Sequence, residues 1–187
     1  MSDLKQTPSQ TVGPYFTIGL IRPGERANEL ITDAPVRARI SVEGVVYDGA
    51  GAPVPDAVIE IWQADASGRY VTDVTQAHPY FRFCGFGRCM TDADGAFAFS
   101  TVKPGFTVER ERHAPHLNVA IFARGMLLHA FTRAYFDDDD HAADPVLATV
   151  DASRRATLIA RRQPSPAASY RWNIHLQGDQ ETVFFDA

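Results

Sequence analysis

Excess positive charge and long apolar runs are both missing from this sequence. The 18 Lys and Arg residues are outnumbered by 23 Asp and Glu, and the formal net charge is −5. This balance argues against nucleic-acid binding, because neutralising phosphates requires a basic patch. No apolar run approaches the ~20 residues that span a bilayer. The N-terminus from Met1 to Gln6 lacks the apolar core of a signal peptide, so we expect a cytoplasmic protein.

Cysteine is nearly absent as well. Cys84 and Cys89 are the only two in the chain, and four residues between them is a poor spacing for a zinc site. No second cysteine pair or nearby histidine pair completes such a site. We therefore predict two free thiols, with one or both of them buried.

Helical periodicity is almost absent too. The 187 residues, 45% of them hydrophobic, are enough for one domain with its own core. Short runs of β-branched and aromatic residues recur between Gly, Pro, Asp and Asn. We predict an all-β fold with little helix, a β-sandwich over residues 36–187. The predicted strands are 37–47, 58–63, 97–100, 117–123, 126–136, 156–160, 170–176 and 182–185.

The first ~35 residues contain few strand signals, so residues 1–35 are expected to form an extended arm and loop on this single domain of residues 1–187. A short helix is expected over residues 25–30. Residues 137–140 are four consecutive aspartates, and we interpret them as a solvated loop after a strand. Calcium binding is the weaker alternative, because no Gly-punctuated ligand spacing accompanies them.

Two polar residues on one predicted strand carry the most information about chemistry. His116 and Asn118 are two residues apart, so their side chains point to the same face. A His-x-His pair at this spacing would place two imidazoles on one metal ion, but the amide of Asn118 is a poor iron ligand. His113 would face the opposite side from His116 unless the strand begins between them. The pattern on this strand therefore indicates a metal site in which one ligand has been replaced.

No other constellation completes an active site. A Gly-x-Ser-x-Gly elbow is absent, neither cysteine has an adjacent histidine, and no Gly-rich loop opens a helix. Arg133 is either a surface residue at a sheet edge or an anchor for a carboxylate, since its guanidinium offers a planar fork. Tyr15 is either core filler for the arm or a hydrogen-bond donor in a pocket wall.

Taken in order, the motifs of nearly the whole chain resemble the intradiol ring-cleavage dioxygenases. The matching segments are Thr7-Pro8-Ser9-Gln10-Thr11 with Gly13-Pro14-Tyr15, Ile61-Trp62-Gln63-Ala64-Asp65 with Gly68-Arg69-Tyr70, Gly87-Arg88 with Thr91-Asp92, Thr101-Val102-Lys103-Pro104-Gly105, Ala114-Pro115-His116-Leu117-Asn118, Tyr135-Phe136-Asp137-Asp138, Tyr170-Arg171-Trp172-Asn173-Ile174, and Glu181-Thr182-Val183-Phe184-Phe185. The resemblance implies a β-sandwich and a catalytic subunit that holds Fe(III) with two tyrosines and two histidines.

Three of these four ligands are expected to be missing here. Asn118 stands at the second histidine, and Phe106-Thr107 stands where one tyrosine follows the Pro-Gly turn. The second tyrosine has no obvious equivalent, because the nearest candidate, Tyr80, is too close to Gly87. The resemblance therefore implies that no metal is bound by this chain and that the iron is held by a homologous partner subunit.

The resemblance also implies a role for this chain beside that iron. Its arm would form part of the substrate pocket between the two subunits, where the ring of protocatechuate is opened with O2 to 3-carboxy-cis,cis-muconate. The substrate-binding positions implied are Thr11, Gly13, Pro14, Tyr15 and Arg133. Gly13 and Pro14 would let backbone approach a flat ring, and the charge of Arg133 would attract a benzoate.

Two alternatives stay open at this stage. A prealbumin-like β-sandwich that serves as a binding or scaffold module would share the Asp-x-Asp-Gly and Pro-Gly turns without needing an arm or a partner. A self-sufficient dioxygenase with altered ligands is less favoured, because Asn118 and Phe106 do not replace His and Tyr.

Overall fold

The computed structural model of the chain describes residues 5–22, 26–32, 39–72, 82–108, 111–165 and 167–186. In this part of the chain the structure consists mainly of strands. The strands are β1 (Ile31–Thr32), β2 (Ile40–Tyr47), β3 (Val58–Trp62), β4 (Arg82–Phe83), β5 (Phe86–Met90), β6 (Ala96–Thr101), β7 (Thr107–Val108), β8 (Arg112–His113), β9 (His116–Phe122), β10 (Ala130–Phe136), β11 (Ile159–Arg162), β12 (Ala168–Arg171) and β13 (Ile174–His175). The helical elements are α1 (Phe16–Leu20), α2 (Pro145–Ala148) and a 3-10 helix (Arg155–Leu158).

Nine of the strands form one large mixed sheet. Its order is β13-β2-β12-β11-β10-β9-β3-β5, and β6 pairs with β2 beside that path. The pairs β1-β4 and β7-β8 form two small antiparallel ribbons. β10 is an inner strand of the large sheet, antiparallel to β9 and parallel to β11.

The large sheet folds over its main core, and the predominance of strands confirms the all-β prediction. Along β2 buried and half-buried residues alternate, and Ile40, Val42 and Val46 point inward, as the period of two in the sequence predicts. Residues of β2 and β6 pack in the same cluster as Ile59 of β3 and Val119 of β9. The two halves of the sheet therefore face each other like the layers of a sandwich.

A second, smaller cluster lies under α2 at one end of the sheet. It contains Ala114, Tyr135, Leu147, Val150 and Leu158. Asp144 caps α2 by accepting from the amides of Val146 and Leu147. Its other oxygen accepts from the amide of Ala114, 2.9 Å away, so one carboxylate ties α2 to the start of β9.

Four predicted strands differ in the structure. The predicted strand at 170–176 is divided into β12 and β13. β10 begins at Ala130 rather than at residue 126, and Leu127 and Leu128 are exposed in the preceding connection. Much of the predicted strand at 156–160 is the 3-10 helix, because the carboxylate of Asp151 accepts from the amide of Ser153 and starts a turn. Residues 182–185 form only an isolated bridge, through Phe185.

The predicted helix at 25–30 is wrong for its described part. Residues 26–30 form a turn and a bridge, because the amide of Leu30 bonds to the carbonyl of Ser100 in β6 instead of to its own turn. Glu25 lies outside the described residues. The helix of the arm is α1, where the sequence analysis predicted extended chain. None of the described helices is long and apolar enough to cross a membrane.

The predictions for the two cysteines and for the run of four aspartates are confirmed only in part. Cys84 and Cys89 are free thiols, as predicted, but the expected burial is wrong, because Cys84 is exposed and Cys89 is only half-buried. The acidic run does follow a strand, but it is not simply solvated. Lys103 forms ion pairs with Asp138 at 2.7 Å and with Asp139 at 3.1 Å.

Candidate functional site

A partly buried hydrogen-bonded cluster joins the two polar residues of β9 to a tyrosine from a distant turn. The hydroxyl of Tyr70 lies 3.3 Å from Nε2 of His116 and 3.1 Å from Nδ2 of Asn118. His116 is only 2% exposed. Because both side chains reach the same hydroxyl, they share one face of β9, which confirms the expectation from their spacing. We call these three residues the Tyr70 cluster.

The turn before Tyr70 is shaped by an aspartate and a glycine. Oδ1 of Asp65 accepts from the amides of Ser67 and Arg69, at 2.8 and 3.0 Å. Gly68 has φ +82°, and a Cβ there would lie 1.8 Å from the carbonyl oxygen of Phe106. Only glycine fits a left-handed backbone pressed so closely against another segment, so the turn before Tyr70 packs against the residues that lead into β7.

The donors and acceptors of the cluster are fixed by two carbonyl oxygens. Nδ1 of His116 lies 2.7 Å from the carbonyl of Ala114, so Nδ1 carries the proton and Nε2 is left with a lone pair. The Tyr70 hydroxyl donates to that lone pair. Nδ2 of Asn118 lies 3.3 Å from the carbonyl of Trp62 and also donates to the Tyr70 oxygen. Asn118 therefore presents hydrogens, not a lone pair, to the cluster.

Arg133 lies beside this cluster on the neighbouring strand. It is opposite Asn118 in the β9–β10 register, and Tyr135 is opposite His116, so all four side chains share a face. Burial, together with the positive charge of Arg133, lowers the pKa of His116 to about 4. His116 is thus neutral near pH 7. The interpretation of Arg133 as an edge residue is wrong, because β10 is an inner strand.

His113 approaches His116 because the backbone changes course between them. β8 ends at His113 and β9 begins at His116, which is the exception that the sequence analysis allowed, and the ring centroids are 6.0 Å apart. Nδ1 of His113 lies 3.5 Å from Nη1 of Arg133 and 3.7 Å from Oδ2 of Asp144.

Asp144 supplies the negative charge at this end of the sheet. It accepts a 2.9 Å hydrogen bond from the hydroxyl of Tyr135. Burial would raise the pKa of this carboxyl, but the amides of Leu147 and Ala114 and the hydroxyl of Tyr135 outweigh it and hold the pKa below its usual value. Burial raises the pKa of the Tyr135 phenol well above its usual value.

The Tyr70 cluster does not fit a ferric ion. It offers two possible ligands, Tyr70 and the Nε2 of His116, and its third member donates hydrogens. Phe106 has no donor atom, and its ring lies under the guanidinium of Arg112, 3.9 Å away. The Oγ1 of Thr107 is buried with no hydrogen-bond partner among the described residues, but a neutral hydroxyl is a weak replacement for a phenolate. The described residues also contain no group of three or more His, Cys, Asp or Glu able to hold a metal.

Tyr70 is the residue that the sequence analysis missed. The only candidate considered for the second tyrosine ligand was Tyr80, which lies outside the described residues. The signal was present in Gly68-Arg69-Tyr70, but nothing in the sequence shows that this turn reaches β9. With Tyr70 in place, the cluster contains one tyrosine and one histidine. Two of the four expected iron ligands are therefore without an equivalent, whereas the sequence analysis expected three.

The arm residues lie at the other end of the β9–β10 hairpin. The amide of Gly125, in the hairpin tip, donates to Oγ1 of Thr11 at 2.8 Å. Gly13, Pro14 and Tyr15 are exposed, with Tyr15 at 77%, so Tyr15 is not core filler. No hydrogen bond joins these arm residues to Arg133 in the described part of the chain.

Comparisons with known proteins agree with this arrangement. A family model described as Dioxygenase matches residues 12–178. The alpha chain of protocatechuate 3,4-dioxygenase from Burkholderia cepacia is 46% identical, over 100% of both chains. The beta chain from the same organism is 34% identical, over 83% of this chain and 71% of its own. The dioxygenase domain of a dioxygenase carbohydrate-binding protein fusion from Streptomyces sp. SirexAA-E superposes with a TM-score of 0.60 at 26% identity, covering 93% of this chain and 99% of that one.

Proposed function

The chain belongs to the intradiol dioxygenase family, and from this premise we propose that it is the alpha subunit of a heteromeric protocatechuate 3,4-dioxygenase. In this proposal it forms part of the substrate pocket at the interface with a homologous beta subunit, which holds Fe(III). That subunit opens the ring of protocatechuate between its two hydroxyl-bearing carbons. Both atoms of O2 enter the product, 3-carboxy-cis,cis-muconate.

The observation that carries the proposal is the direction of the Asn118 amide. Its Nδ2 donates to the Tyr70 hydroxyl and to the Trp62 carbonyl, so the position that would complete a pair of ligands on β9 is occupied by a donor. A chain that matches a dioxygenase alpha chain over its whole length but assembles only two ligand types is best explained as the partner of an iron-bearing chain.

The exposed arm supports a role in a shared pocket. Gly13, Pro14 and Tyr15 have no function in the core of this chain, and Thr11 fixes the arm to the hairpin tip through Gly125. A tyrosine that is 77% exposed offers both a flat ring and a hydroxyl to a neighbouring subunit. We propose Thr11, Gly13, Pro14 and Tyr15 as pocket-wall residues.

Arg133 is the proposed source of positive potential for the aromatic carboxylate. It is half-buried, beside His113 and the neutral His116. A guanidinium held by a sheet strand loses less side-chain entropy when it binds an anion than one on a mobile loop. The scaffold-module alternative is not favoured, because the relatives are ring-cleaving dioxygenases rather than binding modules.

Iron analysis tests the proposal. Iron per chain is measured in this protein purified alone and after assembly with its homologous partner. We expect no stoichiometric iron in the lone chain and about one iron per pair of chains in the complex, with ring-cleavage activity in the complex only. Stoichiometric iron in the lone chain would refute the assignment. A complex without iron would favour the scaffold module.

A further inference from the structure

An arginine-lined cleft lies between the end of the 3-10 helix, the β11–β12 pair and the C-terminal segment. Its volume is about 570 Å³, within the range of small-molecule sites. It shares no lining residue with the Tyr70 cluster. The residues that matter for its charge are Arg154, Arg161, Arg171, His175 and Asp179. We call it the arginine cleft.

Two of these arginines face each other across a strand pair. Arg161 and Arg171 are direct partners in the antiparallel β11–β12 register, and like charges in this position destabilise a sheet. The adjacent Arg162 points the other way and pairs with Asp138 at 3.1 Å. Within the described residues, neither Arg161 nor Arg171 has such an acidic partner.

The acidic residue nearest to this pair in the sheet is already engaged. Glu43 is opposite Arg171 in the β2–β12 register, but its Oε1 accepts a 3.0 Å hydrogen bond from the hydroxyl of Ser169. No ion pair between Glu43 and Arg171 is present in the described structure. Arg171 therefore has no ion-pair partner in the described part of the sheet, and it lines the cleft.

Arg154 adds a third guanidinium with unused donors. Its Nη2 donates to the carbonyl of Glu181 at 2.8 Å, and its Nε is buried without an acceptor among the described residues. Asp179 is the one carboxylate among the lining residues. The cleft thus concentrates three positive charges against one negative charge, in a chain whose net charge is −5, so it is not part of a generally basic surface.

We propose that the arginine cleft binds a small multivalent oxyanion, either a phosphate or a di- or tricarboxylate. Guanidinium groups bind both through paired N–H donors. An anion between Arg161 and Arg171 would remove the repulsion between them and would place countercharge beside Arg154. This site is independent of the ring-cleavage role proposed above.

Anion titrations test this site. Inorganic phosphate and citrate are titrated by calorimetry into the full chain and into its complex with the iron-bearing partner, at ionic strength held constant with NaCl. We expect saturable binding of one anion per chain in both samples. Arg161→Gln and Arg171→Gln should each weaken binding by about tenfold or more, because each removes charge-assisted hydrogen bonds. Asp179→Asn should strengthen it.

Arg162→Gln is the matched control, since it removes the same charge from the adjacent position and should leave binding unchanged. If Arg162→Gln weakened anion binding as much as Arg161→Gln, binding would depend only on the net charge of the chain, and the proposed site would be refuted. Absence of saturable binding would overturn it too. If the lone chain bound the anion but the complex did not, the cleft would be filled by acidic side chains of the partner. This result would also refute the proposal. Thermal unfolding of each variant checks that the fold is intact.

Discussion

The hydroxyl of Tyr70 donates to Nε2 of His116, 3.3 Å away, across 46 residues of chain. In this bond the lone pair of His116 and the hydroxyl of Tyr70 satisfy each other. The amide of Asn118 completes the arrangement by donating to the same oxygen. The cluster is therefore a set of polar groups, with His116 buried and the other two half-buried, that stabilise one another.

Tyr70→Phe should destabilise the chain. Without the hydroxyl, Nε2 of His116 loses its donor and Nδ2 of Asn118 loses one acceptor, which should lower the free energy of unfolding by about 1–3 kcal/mol. Urea unfolding followed by circular dichroism measures this. Tyr15→Phe is the control, because an exposed hydroxyl should change stability by less than about 0.5 kcal/mol. Equal effects of the two variants would mean that the buried bonds do not stabilise the fold.

The stability of the chain should depend on pH through His116. Its pKa is about 4 in the folded chain against 6.5, the ordinary value for histidine, so between these values the unfolded chain binds more protons. The stabilisation is complete above pH 6.5 and is lost as the pH falls towards 4, by roughly 3 kcal/mol in total. We therefore expect the stability advantage of the native chain over His116→Gln to shrink across this window.

The measurement is urea unfolding of both proteins at several pH values between 4 and 7. Taking the difference removes the contribution of carboxylates that titrate equally in both. A difference in unfolding free energy that stays constant over the window would show that His116 titrates normally in the folded chain.

Arg133→Ala should change substrate preference. If Arg133 attracts the carboxylate, KM for protocatechuate should rise about 10- to 100-fold, since a charge-assisted hydrogen bond is lost. KM for catechol, which lacks the carboxylate, should change little. Steady-state kinetics of the assembled complex provide both values. Arg124→Ala is the control, because that guanidinium pairs with Asp56 at the surface. If Arg133→Ala raised KM equally for both substrates, Arg133 would have no role in binding the carboxylate.

Gly13→Ala should separate folding from function. A Cβ at Gly13 would meet no atom within 4 Å in this chain, so the stability of the lone chain should stay within about 0.5 kcal/mol of its native value. In the complex the added methyl would lie in the proposed pocket wall, and we expect kcat/KM to fall at least roughly tenfold. Gly19→Ala is equally open and should leave kcat/KM unchanged. Full activity of Gly13→Ala would exclude close approach of the substrate at this position.

Several of these relations could be predicted from the sequence because they are local. The period of two places His116 and Asn118 on one face of β9, and the same rule orients β2. The free cysteines follow from their number and spacing. The predicted strand bounds were wrong where an apolar segment was assumed to pair with another strand. Leu127 and Leu128 are exposed, and residues 182–185 make a single bridge. Strand pairing depends on partners distant in the chain, which local composition does not reveal.

The sequence by itself determined the all-β class, the lost ligand at Asn118 and the family resemblance, since periodicity, residue chemistry and motif order are properties of the linear chain. Only the tertiary structure decided that Tyr70 reaches His116, that Arg133 lies on an inner strand beside them, and that Arg161 and Arg171 face each other in one cleft. These are contacts between segments far apart in sequence. They depend on strand register and on the segment against which a turn such as the one at Gly68 packs, and no local pattern specifies either of these.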